Sequence, residues 1–329
     1  MKHHFGDLLD RDGDYWTVVP NRERYAYPIG DVQHGSKETT IVTIGGNDEL
    51  WERVFTLPNL EELTLHEPTK LQLEAASSLK SLKRLRITHA RPTDLNFITS
   101  LIDIEELILE YVSGFSDLSP LKSLKKLRSL HLENLRRVSN FGGLVGIESL
   151  KYLRIDGTFD WKQPIDNFEF LKGLPNLEVL SFGQIINKSP YPAMLHVTGL
   201  KKLKRIKLVW NMLAAEEYAF MEIALPNVEG ADWGPFRRRA YSSLPIPQND
   251  IRAHLPEDVV KRNHPEITIN YKGERSINDP ESEWYEFTGK KAGRAKCNSA
   301  SSQEKCDEYE RKYHHMKDEA RRIISKSEY

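Results

Sequence analysis

The sequence predicts an α/β solenoid. It would consist of stacked layers with a parallel β-sheet on the concave face, short helical or 3₁₀ segments on the convex side, an N-terminal cap and a C-terminal helical extension. Three observations predict this. A nonapeptide with the template L-x-x-L-x-x-L-x-L occurs eight times, successive copies start 22 to 27 residues apart, and apolar spacing changes from three to two inside the copies.

The copies are "LPNLEELTL" from Leu57, "LKSLKRLRI" from Leu79, "LIDIEELIL" from Leu101, "LKKLRSLHL" from Leu124, "IESLKYLRI" from Ile147, "LPNLEVLSF" from Leu174, "LKKLKRIKL" from Leu200 and "LPNVEGADW" from Leu225. Spacing three suits a turning segment, and spacing two suits a strand with alternate residues inward. Each copy is therefore an irregular approach entering one short strand. Between copies stand "TDLNFI" at Thr93, "SDLSPL" at Ser116, "SNFGGL" at Ser139 and "DNFEFL" at Asp166, whose polar residues can cap a short 3₁₀ turn. One unit buries too few aliphatic side chains to offset the ordering of its backbone, so neighbours must stack.

The ends complete the plan. Residues 1–56 form an N-terminal segment and cap, with "TTIVTIGG" (39–46) as a strand and "NDELWERVF" (47–55) as a short helix. Repeats occupy 57–236. Residues 237–279 read as a linker and a C-terminal cap strand, "HPEITINY", with Ile267 and Ile269 inward. Residues 280–329 hold a basic loop and an amphipathic helix. On that helix Cys306, Tyr309, Tyr313, Met316, Ala320 and Ile323 make one apolar stripe, and Ser301 with Glu304 forms a capping box.

The repeats resemble those of leucine-rich repeat proteins, in particular the short units of bacterial internalins and of protein-phosphatase regulatory subunits. The resemblance covers residues 57–236. It implies a non-catalytic scaffold, bacterial in type, that binds another protein across its concave face; bacterial proteins of this look include host-directed effectors and toxin neutralisers. One departure stands out. Where such repeats often carry asparagine, this chain has Pro68, Ala90, Val112, Leu135, Thr158, Ile185, Asn211 and Phe236. Only Asn211 fits, so the turn after each strand must be held by apolar packing.

Bulk composition narrows the function. Charge is balanced, with 47 Lys+Arg against 48 Asp+Glu, so no global field draws the protein to nucleic acid or an anionic membrane. No apolar run is long enough to span a bilayer, and the first sixteen residues, "MKHHFGDLLDRDGDYW", lack the apolar core of a secretory signal. With only two cysteines, Cys297 and Cys306, the chain reads as cytoplasmic rather than disulfide-stapled. These two with His314 and His315 have no zinc-like spacing, so neither metal nor cofactor is expected. No nucleophile–base pair stands out, which argues against an enzyme.

Candidate sites follow from the strand register. Residues flanking the second buried position of each strand face the hollow, in rungs from Glu62, Thr64, His66 to Gly230, Asp232, Gly234. Over the first four rungs Arg84 and Arg86 fall between Glu62 and the pair Glu106, Glu110, which reads as cross-strand charge pairing, a surface structure worth little in binding. The later rungs are less self-satisfied, with Arg205 and Lys207 beside a neutral rung and Asp232 as their only strand acid. The expected partner-binding set is Tyr152, Arg154, Asp156, Trp161, Ser181, Arg205, Lys207, Trp210 and Asp232, with Trp161 and Tyr191 on the longer insertions at 157–166 and 183–195. The partner is an unidentified protein, and the chain a monomer or weak dimer. An alternative is nucleic-acid or phosphate contact through Lys290, Lys291, Arg294 and Lys296, with no acid nearby, aided by Arg237, Arg238 and Arg239. A further alternative is a self-associating adaptor using the Cys306–Ile323 stripe.

Overall fold

The computed structural model describes residues 27–327 and, before them, a two-residue antiparallel pair, Arg11–Asp12 with Tyr15–Trp16. The N-terminal stretch read above for a secretory signal lies almost wholly outside the described residues. The chain divides into two compact units. One runs up to Met212 and includes Ala224–Ala231; the other comprises Leu213–Ile223 and everything from Asp232 onward.

The first unit is a leucine-rich-repeat solenoid built on one eight-stranded parallel sheet. Its strands are β1 (Ile41–Gly45), β2 (Glu62–His66), β3 (Arg84–Thr88), β4 (Glu106–Glu110), β5 (Ser129–Glu133), β6 (Tyr152–Asp156), β7 (Val179–Phe182) and β8 (Arg205–Leu208). Each pairs with the next in sequence order. The register places equivalent repeat positions side by side: Leu63, Leu85, Leu107, Leu130, Leu153, Leu180 and Ile206 form one continuous row, and all are at most 1 % exposed. This is the alignment that stacking demands, since each leucine layer is buried only between its neighbours.

Seven of the eight copies give strands, and the eighth does not. At "LPNVEGADW" the only ladder contact is an isolated bridge of Glu229 to Arg205. The eighth strand of the sheet is instead β1, from the segment read as the cap. Convex segments are 3₁₀ turns at Asn96–Ile98, Ser119–Ser123, Gly142–Leu144, Glu169–Gly173 and Ala193–Gly199. One repeat uses a true helix, α1 (Lys70–Ala76), whose Thr69 and Gln72 form a capping box. The inter-copy motifs work through their second residue: Asp94, Asp117, Asn140 and Asn167 each accept the backbone N–H two residues on, at 2.8–3.1 Å. Such a bond starts a turn without regular helix geometry.

In place of an asparagine ladder, Ala90, Val112 and Leu135 are buried to 2 % or less. Gln163 contributes one polar substitute: its side chain accepts from Leu135 N at 2.9 Å and donates to Val138 O at 2.6 Å.

The second unit is not a linker with a cap strand. Residues from Pro235 onward form β9 (Phe236–Ala240), which pairs antiparallel with β13 (Glu283–Phe287), and β13 pairs with β14 (Arg294–Lys296). A second three-stranded sheet joins β10 (Ser243–Pro245), β11 (Ile267–Ile269) and β12 (Arg275–Asn278), all antiparallel. The strand "ITI" therefore lies in this sheet, its Ile267 buried and Ile269 half-buried. Two shorter helices, α2 (Ala215–Ala224) and α3 (Glu257–Asn263), precede the long C-terminal helix α4 (Ser302–Ser327). The stripe on α4 docks within its own unit. Cys306 packs with Phe287 and Ala295, Tyr309 stacks on Phe287 with ring centres 4.6 Å apart, and Tyr313 donates to Glu222 Oε1 at 2.7 Å. Burial pushes the phenols of Tyr309 and Tyr313 upward, the former to about 12. No capping box forms: Ser301 Oγ meets Ser299 Oγ, and Ser302 Oγ donates to Cys297 O. No described helix is long and apolar enough to cross a membrane.

Candidate functional site on the solenoid

The predicted charge ladder is present, and its three acids and Arg86 are buried, while Arg84 and Arg128 are half-buried. Arg84 reaches Glu62 at 2.6 Å and Glu106 at 3.6 Å, Arg128 reaches Glu106 at 2.7 Å, and Arg86 reaches Glu110 at 2.5 Å. Arg86 and Glu110 are 0 % and 1 % exposed. Reading these pairs as surface structure therefore needs correction, while their low value for binding is untouched. Charges withdrawn from water and mutually compensated leave a large uncompensated cost if one partner is removed. Next to them His131 is fully buried. Burial, then the guanidinium of Arg154, pushes its imidazole down to about 3, against the pull of Glu110 and Asp156. The ring is thus neutral at ordinary pH, and its 3.6 Å approach to Glu133 is not an ion pair.

The partner-binding set divides when placed on the structure. Tyr152, Val179 and Arg205 lie in one row across β6, β7 and β8, and Arg154, Ser181 and Lys207 in the next usable row. Tyr152, Asp156 and Ser181 are buried, at 4, 7 and 5 % exposure, which withdraws them from direct contact. Asp156 is engaged on both oxygens, by Arg154 at 2.7 Å and by the backbone N–H of Gln184 at 2.6 Å. Arg205 pairs with Glu229 at 2.7 Å; the sequence rungs missed this acid because the last copy was read as a strand, which would have turned Glu229 away. Asp232 belongs to the other unit. Lys207, Trp210 and Trp161 are half-buried.

The longer repeats add chain beyond the strand exits. In the insertion after β6, Thr158 and Trp161 close a turn, with Thr158 N donating to Trp161 O at 2.6 Å and Trp161 N to Thr158 Oγ1 at 3.1 Å. Phe159 sits at its tip, 94 % exposed. The insertion is ordered further by a parallel pairing of Gln163–Ile165 with Ile185–Asn187. Ile186 and Val209, just beyond the exits of β7 and β8, are 40 and 42 % exposed. The strand-exit edge of this half therefore carries three exposed apolar side chains.

On the first half of the same edge lies a cavity of about 440 Å³, lined by Glu67, His89, Arg91, Tyr111, Ser113, Asn134 and Arg136. Glu67, His89, Tyr111 and Asn134 are the residues that follow β2, β3, β4 and β5. Each donates its N–H to the next strand's last carbonyl, at 2.9–3.0 Å, and adopts a positive φ of 50–56°. One extra ladder bond followed by a left-handed turn sends the chain to the convex side. His89 and Tyr111 stack with ring centres 4.6 Å apart. Rung reading stopped one residue short of this row; extending the register by one position finds it.

The basic segment differs from its reading as a loop with no acid nearby. It forms β14, opposite Glu286, and Lys296 lies 3.5 Å from Glu281. The Arg294 guanidinium rests 4.3 Å from the Trp284 ring centre and 5.1 Å from that of Tyr241. Lys290 is held by its backbone N–H on Leu213 O, and Lys291 follows with a φ of 61°. Arg237 and Arg238 pair with Glu286 and Glu283 across the strands, and Arg239 lies 3.9 Å from Glu286.

No protein-family model matches the chain, and no curated protein matches it. Among solved structures it is similar to an internalin (inlF) from Listeria monocytogenes, with a TM-score of 0.39 and 20 % identity over 50 % of this chain and 46 % of that one. It is also similar to internalin C2 from the same organism, with a TM-score of 0.38 and 20 % identity over 52 % of this chain and 74 % of that one. The leucine-rich-repeat protein LIC12759 of Leptospira interrogans gives 0.33 and 14 % identity over 61 % and 60 % of the two chains. The chain thus spans less than half of the first of these. By its own repeats and parallel sheet, the first unit has the leucine-rich-repeat fold.

Proposed function

We propose that this protein is a binding scaffold for another protein, engaged along the strand-exit edge of β6–β8. The observation that carries the reading is Phe159. A phenyl ring left almost wholly in water, on a turn closed by two hydrogen bonds between Thr158 and Trp161, adds nothing to the buried core, and aromatic side chains are enriched at interfaces. Trp161 in the same turn, with Ile186, Val209 and Trp210 on the following repeats, extends the patch, and Lys207 adds a cation to that edge. The buried centre of the sheet supplies rigidity instead of contacts.

The test is capture from native lysate by the full chain and by a variant with Phe159→Ala and Trp161→Ala. The same partner should be retained by the wild type and lost from the variant, with thermal unfolding unchanged. Retention of the same partner by the variant would remove this edge from the interface. Reversing Lys207 to Glu should weaken capture less than removing both rings, because exposed charges steer association more than they hold it.

A further inference from the structure

The cavity at the exits of β2–β5 has chemistry of its own, distinct from the Phe159 patch. Asn134 is 2 % exposed, and its Oδ1 is buried without a hydrogen-bond partner among the described residues. A buried amide oxygen left unsatisfied is costly, so its presence on a cavity wall points to a donor that arrives with a ligand. Arg91 and Arg136 line the same cavity and are exposed. Neither guanidinium has an ion-pair or hydrogen-bond partner among the described residues, in contrast to Arg84, Arg86, Arg128, Arg154 and Arg205 on the same unit. Glu67, 4.0 Å from His66, is the single acid on the rim. Two cations and one acid leave the site short of one negative charge.

We propose that this cavity binds an acidic peptide segment, one carboxylate meeting Arg91 and Arg136 while a main-chain N–H of the peptide donates to Asn134 Oδ1. A peptide carries both groups a few ångströms apart. An inorganic anion brings no N–H for Asn134. A nucleic-acid strand brings a charge with every nucleotide, against a rim that holds Glu67 and balances one. The left-handed turns at Glu67, His89, Tyr111 and Asn134 fix the wall, so the acceptor and the cations are held in place before the ligand arrives.

The experiment is selection of a random peptide display library on the immobilised full chain, followed by fluorescence anisotropy of the enriched peptides. Enriched peptides should share an Asp or Glu. Replacing that residue by its amide, or binding to a protein carrying Arg91→Ala and Arg136→Ala, should weaken affinity about tenfold or more, as expected for loss of a charge-assisted hydrogen bond. Asn134→Asp keeps the side-chain shape and the turn, and should weaken the same peptides through repulsion. Both arginines are exposed, so the double variant folds as the wild type does. The inference is overturned if no enriched peptide depends on the two arginines, if the shared acid is missing, or if only a single-stranded oligonucleotide shows the arginine dependence. Phe159→Ala should leave these affinities unchanged, so failure here and failure at the Phe159 edge are told apart.

Discussion

The two halves of the solenoid sheet solve the same stacking problem with different surfaces. From β2 to β5 the repeats are 22 or 23 residues long, and the polar side chains between the leucine rows compensate one another in a buried ladder, with Arg86 and Glu110 at its centre. From β6 to β8 the spacing rises to 25–27 residues, and the added chain places Phe159, Ile186 and Val209 in water at the strand exits. In the repeats of minimal length the polar positions on the strands serve the fold, and the residues left for a ligand are those just past the strand exits. An extended repeat has residues the fold does not need, and those are available for contact.

The largest effect should come from the ladder. Arg86→Ala or Glu110→Ala strands a buried charge and should cost about 3–5 kcal/mol in urea unfolding. If either single variant loses less than about 1 kcal/mol, the loss expected of an exposed pair, the ladder is no different from a surface pair and the contrast between the halves collapses.

The next effect is a pH dependence. His131 has a folded-state pKa of about 3, below the 6.5 of the unfolded chain. Below pH 6.5 the unfolded state takes up a proton that the folded state does not, so stability falls as pH drops from about 6.5 toward 3. Between pH 7 and pH 5 this group alone should remove about 2 kcal/mol. His131→Gln should flatten that part of the profile, with Arg86, Arg154, Glu110, Glu133 and Asp156 unchanged around it. An equally steep loss in the variant would assign the slope to other groups.

Arg205→Ala sharpens the comparison with the smallest change. Its pair with Glu229 has the same chemistry as Arg86 with Glu110, but Glu229 is 66 % exposed. The substitution should cost about 0–1 kcal/mol. A loss approaching that of Arg86→Ala would mean that burial does not separate the two pairs.

The leucine rows and the placement of Arg84 and Arg86 between Glu62, Glu106 and Glu110 were legible because repeat period and strand period together determine register. Burial of that ladder was not legible, since side-chain alternation gives direction and not solvent access. The cavity escaped because Glu67, His89, Tyr111 and Asn134 lie one residue beyond the alternating stretch, at left-handed positions that nothing in a Glu, His or Tyr announces. Its two arginines, Arg91 and Arg136, are 45 positions apart and meet only through stacking. In the second unit the Arg-rich stretch at Phe236–Ala240 looked like loop because the acids that pair it, Glu283 and Glu286, come more than 40 residues later.

The most direct test of the proposal that the exit edge of β6–β8, and not another edge, meets the partner is site-specific photo-crosslinking in native lysate. A benzophenone side chain is placed at Phe159 in one protein and at Ile102, an exposed residue on the strand-entry side, in another. A discrete adduct from position 159 with none from position 102 is the expected result. An adduct from position 102 alone, or equal adducts from both, would contradict the account.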